Sequence, residues 1–117
     1  MAIQSGKTIG VVPLNGTGGD KTAHNQSTRS QITAFNLKNN STQEVTVGIY
    51  VSASSASAAG NRVAGITIEA NGSADVLELI GEGILPGYYV VANIATSGVS
   101  NGDVLSNLTY TLFTESS

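Results

Sequence analysis

Apolar and polar residues alternate most regularly in the segment EVTVGIYV (44–51), where every second residue is Val or Ile. A period of two, carried by β-branched residues, predicts a β-strand with one buried face. The closing segment NLTYTLF (107–113) alternates in the same way, with Leu or Tyr on one side and Thr on the other. It predicts a second strand whose outer face carries hydroxyl groups.

Turn residues divide the rest of the chain into short segments. Asn71-Gly72 predicts a type I′ hairpin turn that pairs residues 63–70 with 73–80. Pro86-Gly87 predicts a type II turn, and residues 88–95 after it are apolar at almost every position, which is typical of a strand covered on both faces. The even spacing predicts an all-β fold, a single antiparallel β-sandwich of seven to eight strands, jelly-roll or immunoglobulin-like in connection.

Two segments depart from this rhythm. Residues 15–30 (NGTGGDKTAHNQSTRS) contain Ala23 as their only apolar residue, and we interpret them as a long polar linker. The chain then divides into an N-terminal arm with its linker (1–30) and a sandwich domain (31–117). We expect the arm to pair with its own sheet, the alternative being the sheet edge of a neighbouring subunit. Residues 52–60 (SASSASAAG) predict a mobile loop rather than a packing surface.

The alternation also predicts the core. In the segment 76–80, adjacent apolar pairs break the period of two and predict a bulge, so either Val76 or Leu77 faces inward. The predicted core positions are Phe35, Leu37, Val45, Val47, Ile49, Val51, Ile66, Ile68, Leu77, Leu79, Val90, Ala92, Ile94, Leu108, Tyr110 and Leu112.

The amino-acid composition limits the kinds of binding site that the chain can form. Gly, Ser, Thr and Asn dominate the 117 residues, whereas charged residues are 11%, and there are one His and no Cys. A net charge of −3 with scattered Lys and Arg gives no basis for binding nucleic acid. Absence of cysteine excludes disulfides and the commonest zinc sites. No apolar run approaches the length of a membrane span or a signal peptide, so we expect a protein made in the cytoplasm that does not bind membranes.

Motifs that would carry catalysis are incomplete. Gly6-Lys7-Thr8 and the segment GTGGDKT (16–22) each resemble the end of a phosphate-binding loop. The first lacks the opening glycine and a preceding strand, and the second has Asp20 where the glycine before Lys21 should be. His24 has no second His or Cys with which to share a metal, and no serine lies in a nucleophile elbow. We therefore predict no catalytic, cofactor or metal site and no enzyme activity.

Candidate interaction residues remain at two places. Ile3, Ile9, Val11 and Val12 supply apolar side chains to the arm. Tyr50 is the one tyrosine on the presumed polar face of its strand, where it could serve as a stacking platform for a sugar or as a packed surface residue.

The stretch 31–113 resembles small bacteriophage virion proteins, of the capsid decoration or tail-associated β-sandwich kind. The likeness lies in the segments ITAFNLKNNS, EVTVGIYV, ITIEANGSADVLEL, GEGILPGYYVVANIA and NLTYTLF. It implies a non-enzymatic accessory subunit of the virion, often a trimer, whose partner is the major capsid protein or another shell protein. The alternative is a carbohydrate-binding sandwich or a tail-tip or fibre component that recognises a host surface.

Overall fold

The computed structural model describes the backbone of residues 2–115 and the side chains of residues 11–113. Within these residues the chain forms nine strands and a short 3-10 turn, Ala59–Asn61. The strands are β1 (Ala2–Pro13), β2 (Asp20–Asn25), β3 (Ser30–Asn39), β4 (Val45–Ser52), β5 (Arg62–Ile68), β6 (Ser73–Asp75), β7 (Gly83–Ile84), β8 (Tyr89–Ile94) and β9 (Val104–Glu115).

Two antiparallel sheets divide these strands between them. Sheet A has the order β1-β9-β3-β6, with β7 also paired to β3, and sheet B has the order β2-β8-β4-β5. The prediction of an antiparallel all-β sandwich is confirmed. The strand count exceeds the predicted seven to eight because β6 and β7 are short pieces that pair with separate parts of one strand, β3.

Strand order also decides between the two predicted topologies. Among consecutive strands, only β4 and β5 pair directly within the described part of the chain. Apart from β6 and β7, which both belong to sheet A, every other pair of consecutive strands is divided between the two sheets. If β6 and β7 are treated as one interrupted strand, each sheet has four strands, joined as in a jelly roll rather than an immunoglobulin domain.

The proposed division at residue 30 does not correspond to a boundary in the fold. β1 pairs with β9 over its whole length, so the arm follows the favoured alternative and joins its own sheet. The interpretation of residues 15–30 as a linker is wrong for Asp20–Asn25, because this segment forms β2 and pairs with β8. Backbone hydrogen bonds to β8 hold β2 in place, so this edge strand needs few apolar side chains.

The predicted hairpin at Asn71-Gly72 is also wrong. β5 pairs with β4 in sheet B, whereas β6 pairs with β3 in sheet A, so the turn connects two sheets. Asn71 has a φ of 58°, but Gly72 lacks the positive φ that a type I′ turn requires. The Pro86-Gly87 turn is confirmed, since Gly87 has a φ of 79° and the Tyr88 amide donates to the Leu85 carbonyl.

The core lies between the sheets and matches most of the predicted positions. Val76 is buried and Leu77 is 72% exposed, so Leu77 is wrong as a core residue. Val51, Ile66 and Tyr110 are partly buried against the core, and Leu112 is half-buried. The confirmed buried residues are Phe35, Leu37, Val45, Val47, Ile49, Ile68, Leu79, Val90, Ala92, Ile94 and Leu108. Further buried residues that the sequence did not predict include Leu14, Ile32, Ile84, Val99 and Val104.

Candidate functional site

Four loops meet at one end of the sandwich, and Asn39 joins two of them. Its buried side chain lies at the end of β3, where Nδ2 donates to the carbonyls of Gln43, Ile68 and Glu69 at 2.8–3.1 Å. Oδ1 accepts from the amide and hydroxyl of Ser41. The loops after β3 and after β5 are therefore fixed to each other, and the Asn-rich sequence has a structural role here.

The other two loops, residues 14–19 and 95–103, contact each other and together line an open cleft of about 860 Å³. The Gly16 amide donates to Asn101 Oδ1 at 2.6 Å, and the Val99 amide donates to Thr17 Oγ1 at 2.9 Å. A Cβ at Gly16 would collide with the Val99 carbonyl, so the close approach of the loops requires glycine. The cleft is lined by neutral groups only, which leaves it without a charge to attract an ionic ligand.

The loop between β4 and β5 (residues 53–61) folds back over the outer face of sheet B. Its Ser57 amide donates to Asp20 Oδ2 at 3.0 Å, across the sheet on β2, and Asn93 Nδ2 donates to Asp20 Oδ1 at 2.7 Å. These hydrogen bonds, from Ser57 first and then from Asn93, lower the pKa of Asp20 below its ordinary value. The prediction of a simply mobile loop did not foresee this anchor.

Val91 on β8 is buried beneath the loop of residues 53–61. It pairs with Tyr50 on β4 and points away from the core, yet it is only 1% exposed. The path of the loop from Ser52 to its anchor at Asp20 crosses this part of β8. The prediction that the apolar strand 88–95 is covered on both faces is confirmed.

Tyr50 rests on the same outer face. Its ring packs over Gly48, and the Arg62 side chain packs over Gly65, which pairs with Gly48 on the neighbouring strand. A Cβ at either glycine would collide with these side chains, so the two glycines provide the space in which they lie. Tyr50 is partly exposed and leans against the sheet rather than standing free of it.

The one histidine lies in the core. A bulge in β2 turns His24 inward, where its Nε2 and Ser30 Oγ form a hydrogen bond of 2.8 Å. The His24 ring packs edge-on against the Tyr110 ring, with 4.6 Å between the ring centroids. Burial lowers the pKa of His24. Although His24 and Ser30 are adjacent, Ser30 is 0% exposed, so its hydroxyl is closed to solvent in this structure. This pair is a structural contact that the sequence did not reveal.

The two edges of sheet A carry the most exposed apolar side chains. On β1, Val11 is 59% exposed and Val12 is half-buried, whereas the side chains of Ile3 and Ile9 lie outside the described residues. At the opposite edge, Leu77 is 72% exposed and Leu85 is 54% exposed. The structure does not bring Tyr50 close to the arm residues, since Tyr50 belongs to sheet B.

No cluster of three or more His, Asp or Glu side chains able to hold a metal ion is present in the described part of the chain. Within the same residues, no helix is long and apolar enough to cross a membrane. Comparisons with protein-family models, with curated proteins and with solved structures found no match to this chain. Fold and surface therefore define the class, a jelly-roll sandwich with two apolar edges on one sheet.

Proposed function

We propose that the protein is a non-enzymatic structural protein of a phage particle, a capsid decoration protein of the virion that binds and stabilises the shell. The observation that carries this proposal is the free edge of β1. This strand has twelve residues, and among the described residues 2–115 it pairs with β9 alone. Long edge strands offer unpaired amide and carbonyl groups to a strand of another protein.

The sequence of β1 leaves part of this edge unprotected. Natural edge strands are blunted by bulges, Lys or Pro, and β1 has a bulge between Ser5 and Lys7 and a proline at position 13. The segment between them, Thr8–Val12, contains no charged residue and no proline, and Val11 is exposed within it. A strand of the major capsid protein that pairs with this segment would bury Val11 and satisfy the free backbone groups.

Substitution of Val11 tests this proposal. Its side chain is 59% exposed, so replacement leaves the stability within about 0.5 kcal/mol. Val11→Lys places on the edge the residue that most discourages strand pairing, and Val11→Thr keeps the β-branched shape as a matched control. Particles that lack the protein are mixed with purified chain and separated from free chain by gradient centrifugation.

We expect the wild-type chain and Val11→Thr to sediment with the particles and Val11→Lys to remain unbound. If the wild-type chain stays unbound, the particle role is wrong. If Val11→Lys sediments as the wild type does, the β1 edge is not the contact.

Carbohydrate binding is a second candidate, and the position of Tyr50 favours it. The ring lies against Gly48 on the outer face of sheet B with part of its surface exposed, and sugars stack on such rings. A glycan array probed with the wild-type chain and with Tyr50→Ala tests it. Specific binding that is lost in Tyr50→Ala supports the sugar function, and absence of binding by the wild-type chain refutes it.

A further inference from the structure

Apolar side chains are concentrated at the edge of sheet A opposite β1. Leu77, Ile80 and Leu85 are 72%, 38% and 54% exposed, and all three lie in the segment that surrounds β7. We call this segment, residues 77–85, the β7 edge. Within the backbone that the structure describes, β7 itself pairs with β3 alone, so its other side is free. Exposed apolar clusters on a small domain mark contact surfaces.

Two grooves flank β7 and share Gly83 and Ile84 in their walls. The first, of about 350 Å³, also has Arg29, Leu85 and Phe113 in its walls. The second, of about 300 Å³, lies between the sheets. Its walls are Val51, Val63, Glu78, Leu79, Glu82, Gly83 and Ile84. The β7 edge thus presents a short strand between two hollows, one lined in part by Leu85 and the other by Val51 and Val63.

Opposite charges lie on the two sides of β7. Arg29 stacks over the Phe113 ring in the first groove, with 5.6 Å from the guanidinium carbon to the ring centroid. Glu78 and Glu82 line the second groove and are exposed. Within the described part of the chain, neither carboxylate forms an ion pair. The surface is positive on one side of β7 and negative on the other.

We propose that two copies of this chain pair across the β7 edge about a two-fold axis, with Arg29 of each copy facing Glu78 and Glu82 of the other. A half turn about an axis that runs alongside β7, parallel to the strand and between the two copies, places the first groove of one copy beside the second groove of the other. The positive groove of each copy then lies opposite the negative groove of the other. A patch with this arrangement is complementary to itself, and a second copy of the chain is the partner that it fits.

The apolar side chains follow the same exchange. Leu85 lines the first groove and so faces the second groove of the other copy, which Val51 and Val63 line. The contact therefore covers exposed apolar surface at its centre and pairs charges at its rim, as stable interfaces do.

This inference is independent of the proposed role in a particle, because it concerns the opposite edge of sheet A. It also differs from the trimer that the sequence resemblance implies. A three-fold contact joins two different patches, whereas the charges at the β7 edge are self-complementary. Sedimentation in solution distinguishes the two assemblies.

Charge reversal tests the pairing. We expect the wild-type chain to sediment at twice its 11.9 kDa mass as the concentration rises. Arg29→Glu and Glu82→Arg each place like charges together at both ends of the contact, and each raises the dissociation constant by about tenfold or more. An equimolar mixture of the two variants restores dimers, because every facing pair at positions 29 and 82 is again opposite in charge.

Glu44→Arg is the matched control. Glu44 is exposed in the loop after β3, at the other end of that strand from β7, so this variant dimerises as the wild type does. A wild-type chain that stays monomeric at about 1 mM overturns the proposal. So does a trimer, a dimer that neither reversal weakens, or a mixture of variants that stays monomeric.

Discussion

Replacement of Asn39 should destabilise the protein more than its polar character suggests. The side chain is 0% exposed, and its two polar atoms lie within 3.1 Å of five partners. Asn39→Ala removes these bonds and leaves the buried Ile68 carbonyl without its amide partner. Two protons limit Nδ2 to two full bonds, so we count about three to four bonds of roughly 1 kcal/mol each and expect a loss of about 3–5 kcal/mol.

Urea unfolding measures this loss. The chain has four Tyr and no Trp, so tyrosine fluorescence and far-ultraviolet circular dichroism report the transition. Asn40→Ala is the matched control, because Asn40 is exposed and its side chain forms no hydrogen bond within the described part of the chain. We expect the midpoint to fall for Asn39→Ala with an unchanged slope, and to stay within about 0.5 kcal/mol of the wild type for Asn40→Ala.

Asn39→Asp sharpens the test. The substitution replaces the Nδ2 donor by an oxygen that faces three carbonyl oxygens, so at neutral pH it should destabilise more than Asn39→Ala. Protonation of the new carboxyl at low pH restores one donor and should recover part of the loss. A loss below about 1 kcal/mol for Asn39→Ala, or equal losses for Asn39→Ala and Asn40→Ala, would refute the reasoning that Asn39 fixes the loops.

Three further substitutions probe other polar residues. Among the side chains that the structure describes, Ser106 Oγ is buried without a hydrogen-bond partner, so Ser106→Ala should stabilise the protein by about 1 kcal/mol in the same urea assay; a destabilised variant would contradict this. The pKa of His24 is lower in the folded state than its ordinary 6.5, so the unfolded chain takes up the proton first. The free energy of unfolding should therefore be constant above about pH 7 and fall below it, by at most about 1.4 kcal/mol per pH unit, until the folded pKa is reached; His24→Gln should abolish this slope. Asp20→Ala removes the acceptor for the Ser57 amide, so hydrogen exchange at Ser57 and proteolysis within residues 53–60 should accelerate, whereas unchanged protection would show that the loop has another anchor.

The local sequence pattern was sufficient to predict features that depend on one strand or one turn alone. The alternation of residues 44–51 predicted both the strand and its buried face, because Val45, Val47 and Ile49 are all 0% exposed in β4. Pro86-Gly87 was equally informative, since Gly87 adopts the positive φ that the turn needs. In these cases side-chain period and turn chemistry act over a few residues, which the sequence displays directly.

Pairing between distant strands was not predictable in this way. Asn71-Gly72 has the composition of a hairpin turn, but the hydrogen-bonding partners of the flanking strands are β4 and β3, in different sheets. Turn chemistry fixes the direction of the chain over a few residues and does not decide which sheet the next strand joins. The predicted bulge at residues 76–80 is absent, because residues 77–81 form turns between β6 and β7, both of which pair with β3, and Leu77 is exposed in these turns.

The prediction that residues 15–30, before β3, form a linker was wrong for a different reason. In the part of the chain that the structure describes, β2 pairs with β8 on one side only, and much of its stabilisation comes from backbone hydrogen bonds and from Asp20 and His24. Its burial depends on the loop after β4 and on a bulge, and neither has a signature in the apolar pattern. The sequence signal that could have located it is the pair Ala23-His24, where a neutral imidazole can be buried beside a hydroxyl.

The proposed shell contact and the proposed contact between two copies lie at opposite edges of sheet A. β1 is one edge of the sheet and β6 with β7 is the other, so a pair joined across β7 leaves both β1 strands free at its outer ends. Such a pair presents two shell-binding edges, and binding of one raises the effective concentration of the other. Glu82→Arg, which separates the copies without touching β1, should therefore still bind particles but dissociate faster than the wild type. Val11→Lys should lose binding whether or not the chain is paired, and equal dissociation rates for Glu82→Arg and the wild type would show that a single copy binds alone.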